Sequence, residues 1–432
     1  MNHTPLTGRA FILFTMVITL NLYLMSKPNP AALTQNSWLT VSQVSALYGT
    51  LFMSLSVILA ARPRFLESWF GGLDKVYKSH HLFGGIALVL LLQHPLTLII
   101  NALPNYQMAF LYLFPVTNLA YSAGILALWI LIILLVATLY LKLPYHIWKI
   151  THNFMGIVVL LAALHIYLIP SDVSRYLPLR FWMMGLIGLA LFAAFYQRFL
   201  YRFLGPRYAY RLMAKIKLAN CHLLYLKPIK QGLSFQPGQF VFASIRSHRT
   251  LKESHPFSIA SEPGKPYLRL IIKELGDYTS DLHHAHPSDL VYLWGPYGRF
   301  LSKPVKLNQP LVGIGGGIGI TPFLSLARSK VNQTSPASPV YLYYSVSQIT
   351  DALGHRELTA LDKYLPNLSY RLHVSRDQGR LTAKMIITAV PEWQSANYYI
   401  CGPLKMMLDL RSQLLGQGVK PAHIIYEDFS LK

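Results

Sequence analysis

Long apolar runs dominate residues 1–203, whereas alternating and mixed patterns dominate the remainder. Six runs, about 9–26, 40–61, 80–103, 119–141, 147–169 and 179–201, lie near the ~20 residues that cross a hydrocarbon core. The first, Ala10 to Met25, has the length of a signal peptide, but five more runs follow it, so the pattern predicts a retained first helix. Loop charges orient the six. Loop 62–79 carries Arg62, Arg64, Lys75 and Lys78; Lys142 and Lys149 flank the next loop of the same side; Arg198, Arg202 and Arg207 follow the last run. Loop 104–118 carries no charged residue. The positive-inside rule then puts both termini in the cytoplasm.

After Gly205-Pro206 the period changes. Tyr208 to Leu226, Gln239 to Ile245, Leu268–Lys273 and Leu290–Leu293 read as strands, with Gln236-Pro237-Gly238 as a turn. Short strands and tight turns predict a small antiparallel barrel. From Pro310, apolar strands at Leu311–Ile314, Val340–Ser345, Arg371–Val374 and Tyr398–Ile400 alternate with helical stretches at Pro322–Ser329 and near Leu404–Leu415. That alternation predicts a parallel sheet with crossover helices. The expected fold is therefore membrane α followed by soluble β and α/β. A six-helix bundle spans 1–203, an antiparallel barrel 204–303 and a nucleotide-type α/β domain 304–432.

Within the apolar part, His80 and His94 share the third run and His152 and His165 the fifth. Ionisable side chains inside a membrane are costly and tend to be functional. By the orientation above, His80 pairs in depth with His152, and His94 with His165. Two such pairs could hold two haems stacked across the bilayer. Fourteen residues bring a helical side chain back to within about 40°, but the thirteen between His152 and His165 leave it about 140° out of phase. Tilt, a local irregularity or different approach directions must absorb that. Taken singly, each histidine also fits an interhelical hydrogen bond, and His81 rivals His80.

Charge and composition narrow the classes. The formal net charge of +22 suits cytoplasmic loops, anionic lipid and phosphorylated cofactors better than nucleic acid in a chain with six apolar runs. Two cysteines, Cys221 and Cys401, exclude a disulfide framework, a zinc cluster and a four-cysteine iron–sulfur site. Gly315-Gly316-Gly317-Ile318-Gly319-Ile320-Thr321-Pro322 follows a strand and opens a helix, as a pyrophosphate-binding turn does; a structural tight turn is the alternative. Ser375-Arg376 ends a later strand and suits an adenosine 2′-phosphate, or else is a solvated loop. Cys401-Gly402-Pro403 ends another strand where such sheets bind ligands; a core cysteine is the plainer reading.

With these residues in order, the chain resembles the NADPH oxidase and ferric reductase superfamily, in its compact bacterial form without a calcium-binding or peroxidase extension. The segments Leu73-Asp74-Lys75-Val76-Tyr77-Lys78-Ser79-His80, His94-Pro95, and Tyr145…Trp148…His152 through His165 resemble its six-helix domain. The resemblance implies two b-type haems on the four histidines. The second half is similar to the ferredoxin–NADP⁺ reductase fold. There His255-Pro256-Phe257-Ser258 resembles the flavin motif, with Ser258 near flavin N5. Lys273 and the Gly276…Thr279 segment are implied in FAD binding, Gly315–Pro322 in nicotinamide-nucleotide binding, Ser375-Arg376 in the 2′-phosphate clamp, and Cys401-Gly402 in the nicotinamide end. Phe429 is the candidate aromatic shield of the flavin.

The implied path runs from cytoplasmic NADPH through FAD and two haems to an outer acceptor, in a bacterial inner membrane. Dioxygen, giving superoxide, is the expected acceptor, because the outer loops are short and nearly uncharged; Arg175 could stabilise the anion, with a solvated loop arginine as the plainer reading. Ferric iron is the alternative. A haem-bearing relay subunit would not need its own donor site, and a transporter would have no use for the second half. The oligomeric state is not legible in the sequence.

Overall fold

The computed structural model of the chain describes residues 5–141, 143–246, 254–302, 309–331 and 338–427. It divides into two compact units, Met1–Gly205 and Pro206–Lys432.

Among the described residues of the first unit, six helices are long and apolar enough to cross a membrane. They are formed by α1 (Pro5–Met25), α2 (Ser37–Ala60), α3 (Leu73–Ala102), α4 (Leu119–Leu139), the pair α5 (Tyr145–Asn153) and α6 (Met155–Leu168), and α7 (Leu177–Phe195) with its continuation to Leu200. Asn36 and Asn118 cap α2 and α4 by accepting from Leu39 N and Ala120 N. Helix α2 is the most buried of the set. It packs along α3, α4 packs along α6, and α7 bridges α2 and α6. Its buried face is rich in small residues, Ser42, Ser45, Gly49, Ser54 and Ser56, which let helices approach closely in lipid. Val89, Ile133 and Phe181 are exposed, as a lipid-facing surface requires.

The fifth apolar run is not one straight helix. Phe154, with ψ −9°, separates α5 from α6 and lies between His152 and His165. It is a local irregularity, one of the three departures that the thirteen-residue spacing leaves open.

The second unit begins with an antiparallel sheet of β1 (Arg207–Leu218), β2 (Cys221–Pro228), β3 (Phe240–Arg246), β4 (His255–Ser258), β5 (Leu268–Lys273) and β6 (Leu290–Tyr297), in the order β4-β3-β6-β1-β2-β5. The stretch Tyr208 to Leu226, expected as one strand, is a hairpin. Leu218 faces Cys221 across Ala219-Asn220, and Ala219 adopts φ +49°. Apolar alternation continues on both sides of that turn, and no glycine marks it. Inward residues Leu212, Leu224, Val241, Leu270 and Val291 form the barrel core.

The parallel sheet contains β7 (Leu311–Gly316), β8 (Val340–Val346), β9 (Leu368–Val374), β10 (Asn397–Cys401) and β11 (Ile424–Tyr426), in the order β11-β10-β7-β8-β9. The chain winds from β7 outward to β9 and then returns to the other side of β7. The switch point therefore lies between β7 and β10, where doubly wound sheets bind ligands. One core holds Ala260 and Phe300 of the barrel together with Phe323 and Leu342 of the parallel sheet, so the two halves pack as one body.

Candidate functional site

In the membrane unit, α3 places His80 and His94, while α5 and α6 place His152 and His165. The ring centres of His80 and His152 are 6.0 Å apart, and those of His94 and His165 are 6.5 Å apart. His81 is exposed, and its ring lies 5.5 Å from that of His80. A metal–imidazole bond of about 2 Å on each side, with about 1 Å from nitrogen to ring centre, puts two axial ring centres about 6 Å apart. Both pairs fit that spacing.

The outer nitrogens fit as well. Backbone carbonyls face Nδ1 of three rings: Ser56 O of His80 at 2.9 Å, Ser42 O of His94 at 3.1 Å and Ala120 O of His165 at 2.7 Å. A carbonyl there holds the proton on Nδ1 and leaves the Nε2 lone pair for a metal. His152 Nδ1 is buried without a partner, and its ring stacks on Trp148 at 5.3 Å. Gly124 makes room for His165: a Cβ there would stand 2.7 Å from Nδ1. The donor set thus suits two bis-histidine haems.

In the second unit, His255–Ser258 forms β4 beside β3, with Ser258 opposite Phe240. Tyr278 of α8 (Asp277–Ser280) lies against this strand, 3.9 Å from the His255 ring and 6.4 Å from Phe257. Thr279 Oγ1 accepts from Leu275 N at 2.6 Å and donates to Gly276 O at 3.1 Å. Gly276 has φ +81°, so this turn is closed by its own residues and opens a short helix. Lys273 ends β5 with its side chain exposed. The arrangement brings an aromatic wall and a tied turn to one edge of the barrel.

The glycine-rich segment occupies the switch point. It leaves β7, turns through Gly317–Ile320 and enters α9 (Thr321–Lys330), with Pro322 in its first turn. Thr321 Oγ1 donates to Ile318 O at 3.0 Å. Gly315 pairs with Cys401 across β7 and β10. A Cβ on Gly316 would meet Met406 at 2.6 Å, and one on Gly319 would strike Cys401 O. These two glycines let the strand ends approach. Gly317, at φ +53°, has open space where its Cβ would be and is free to face a ligand. Gly402 packs its backbone on Gly316. Burial pushes the Cys401 thiol well above its ordinary range, and the Glu427 charge adds to this. Cys401 is therefore a neutral thiol that shapes the site rather than a nucleophile.

Ser375 and Arg376 lie beyond β9, two strands from the glycine turn. Ser375 Oγ donates to Val346 O at 3.1 Å and Arg376 N to Ser347 O at 3.3 Å, which leaves the Arg376 guanidinium exposed. Phe429 falls outside the described residues.

The family described as "Ferric reductase like transmembrane component" matches residues 45–163, an FAD-binding domain matches 208–299, and an oxidoreductase NAD-binding domain matches 314–412. The chain has the NADPH oxidase/ferric reductase architecture. Its matched domains are those of a multi-pass membrane flavoprotein that uses a nicotinamide nucleotide.

Among curated proteins, a stretch covering 48% of this chain is similar to the flavohemoprotein of Bacillus cereus, at 30% identity over 228 residues and 56% of that protein. The chain is also similar to the sulfhydrogenase 2 subunit gamma of Pyrococcus furiosus, at 26% identity over 45% of this chain and 72% of that one. The chain thus spans about half the length of the flavohemoprotein relatives it matches. Among solved structures, flavohemoglobin from Malassezia yamatoensis shares the fold, with a TM-score of 0.52 and 20% identity over 92% of this chain and 98% of that one.

Several groups that shape these sites went unread in the sequence. Ser42 and Ser56 contact the histidines of α3, and Gly124 clears space for His165. The spacing Ser42…Gly49…Ser56, seven and seven, was the available signal, since small residues at that interval face one neighbour.

Proposed function

We propose that the chain is a transmembrane oxidoreductase that takes electrons from NADPH, with FAD and two b-type haems as cofactors, and reduces dioxygen to superoxide on the outer side. The observation that carries this reading is the pair of histidine couples at haem spacing, each ring but one oriented by a carbonyl at Nδ1. The balanced reaction is NADPH plus two dioxygen giving NADP⁺, two superoxide and one proton. When bound, FAD accepts a hydride and gives up electrons singly, and haem iron carries them one at a time.

The chain's own residues supply position. His80 and His152 would hold the inner haem, with His80 favoured over His81 because its ring faces His152. His94 and His165 would hold the outer one. With a histidine on each side, the acceptor would take its electron without binding the iron. His255 to Ser258 with Tyr278 form the flavin wall, and Ser258 and Phe429 border the reacting ring. Lys273, Gly276 and Thr279 serve the FAD pyrophosphate. Gly315, Gly316, Gly317, Gly319, Thr321 and Pro322 receive the nucleotide pyrophosphate, Ser375 and Arg376 the 2′-phosphate, and Cys401 and Gly402 the nicotinamide end. The domains follow as 1–203, 204–303 and 304–432. Basic loops favour a bacterial inner membrane with both termini and the reductase domains cytoplasmic. Arg175 is exposed and its Nε donates to Ser171 O, which ties it to its own loop.

The match to a ferric-reductase-like component favours ferric iron as a second acceptor. Purified protein in detergent with NADPH decides between them. Cytochrome c reduction that superoxide dismutase abolishes supports dioxygen; dismutase-insensitive signal with fast ferric-chelate reduction supports iron. Replacing Arg376 should weaken NADPH far more than NADH, and equal effects refute the 2′-phosphate role.

A further inference from the structure

We propose that Ser42 and Ser56 are positioning residues that fix the tautomer and donor strength of the α3 histidines at the two haem sites, an inference that rests on the haem reading above. The two serines are fourteen residues apart on α2, as His80 and His94 are on α3. They pair in antiparallel register, Ser42 with His94 and Ser56 with His80. Gly49, midway, permits the close crossing, because a Cβ there would stand 2.8 Å from Leu91.

The contacts repeat almost atom for atom. Ser42 Oγ lies 2.7 Å from His94 Nδ1 and 3.0 Å from His94 O, while Ser42 O lies 3.1 Å from the same Nδ1. Ser56 Oγ lies 2.9 Å from His80 Nδ1 and 3.1 Å from His80 O, with Ser56 O at 2.9 Å from Nδ1. A hydroxyl alone would leave the ring tautomer open, since it can donate or accept. The carbonyl closes the question: it only accepts, so Nδ1 carries the hydrogen. The serine hydroxyl then donates to the histidine's own backbone carbonyl and offers a lone pair to Nδ1–H. Each histidine of α3 thus has two acceptors at Nδ1 and a free Nε2 lone pair.

The opposite ligands lack this. His165 Nδ1 faces one carbonyl, and His152 Nδ1 is buried with no partner among the described residues. The α3 side is therefore the strongly held side at both sites. An extra acceptor at Nδ1 raises imidazole basicity and favours the oxidised metal. The serines act on potential through the ligand, without touching the cofactor.

Ser42→Ala and Ser56→Ala in the full-length protein test this, by haem-to-protein ratio and by potentiometric titration of the purified chain. Each variant should keep two haems per chain. Ser42→Ala should raise the midpoint of one haem and Ser56→Ala that of the other. The expected shift is about fivefold in the reduction equilibrium, the size of one net hydrogen bond, or about 40 mV at 59 mV per tenfold for one electron. Ser→Thr, which keeps the hydroxyl, should restore each midpoint. Full haem content with both midpoints unmoved overturns the proposal, as does one variant moving both midpoints. If Ser→Ala releases haem, Ser→Thr must retain it at the native midpoint, and Thr behaving like Ala also overturns the proposal. A wild-type chain that binds no haem overturns the haem reading itself.

Discussion

Gly124→Ala probes the outer histidine pair through a single methyl group. Gly124 lies on α4, and a Cβ at that position would stand 2.7 Å from His165 Nδ1, 2.9 Å from Cγ and 3.0 Å from Cε1. Comfortable heavy-atom contact begins near ~3.5 Å, so the ring must move by roughly 0.7 Å. The ring is anchored, because Nδ1 is 2.7 Å from Ala120 O on the same helix. Overpacking of this kind costs about 1–3 kcal/mol, and stretching the hydrogen bond adds about 1 kcal/mol. Alanine's helix propensity is gained with or without haem and does not enter. The balance is about 3 kcal/mol against the bound outer haem, or roughly 150-fold in its affinity. Gly156→Ala is the control: it lies on α6 with His165, and its Cβ would meet nothing within 4 Å. The assay is haem per chain after purification and dilution. Gly124→Ala should fall from about two towards one, as His165→Ala does, while Gly156→Ala stays at two. Gly124→Ala and Gly156→Ala retaining equal haem would refute the placement of His165.

Three further outcomes concern the second unit. Arg328 donates from Nε and Nη2 to both carboxylate oxygens of Glu357 at 2.6 Å, and from Nη1 to Ala260 O, while Arg269 Nη1 stands 3.8 Å from the same carboxylate, so Arg328→Ala removes the main partner of a partly exposed carboxylate and should cost about 2 kcal/mol, read as a lower thermal midpoint. Burial pushes the Glu357 carboxyl up, but the hydrogen bonds and charge of Arg328 together with the charge of Arg269 more than offset this and hold it below its ordinary value; the cluster's contribution is therefore present above that ordinary value and lost as pH falls through the lowered one. Burial pushes the Cys221 thiol up to about 11, so at pH 8 an alkylating reagent should label neither Cys221 nor Cys401 until the protein unfolds, and the Cys221 contribution, about 3 kcal/mol, should be lost as pH rises from about 9 to about 11. Ala219→Gly should stabilise the β1–β2 hairpin by about 1 kcal/mol, because Ala219 holds φ +49°, where a Cβ is unfavourable; a lower midpoint for this variant would contradict that turn geometry.

What was legible in the sequence and what was not divide along one physical line. Periodicity and residue chemistry are local, so the six apolar runs, the barrel, the parallel sheet and the four histidines could be read directly. Contacts between distant elements could not. On a single straight helix His152 and His165 are out of phase; the interruption at Phe154 breaks that helix between them, and no proline or glycine at that position announces it. The hairpin turn at Ala219-Asn220 was hidden for the same reason. The most instructive omission is α2, which holds no ligand of its own. It read as a plain membrane span, yet its serines meet both α3 histidines. Three of the four histidines each sit on one helix and have the far nitrogen held from another, by small residues and backbone carbonyls that hydropathy registers only as gaps in an apolar run. Serines at fourteen-residue spacing with a glycine midway, opposite histidines at fourteen, are therefore a sharper sequence mark than the histidines alone. His152 is the converse: among the described residues it is held by stacking on Trp148 rather than by a hydrogen bond, so its orientation depends most on packing.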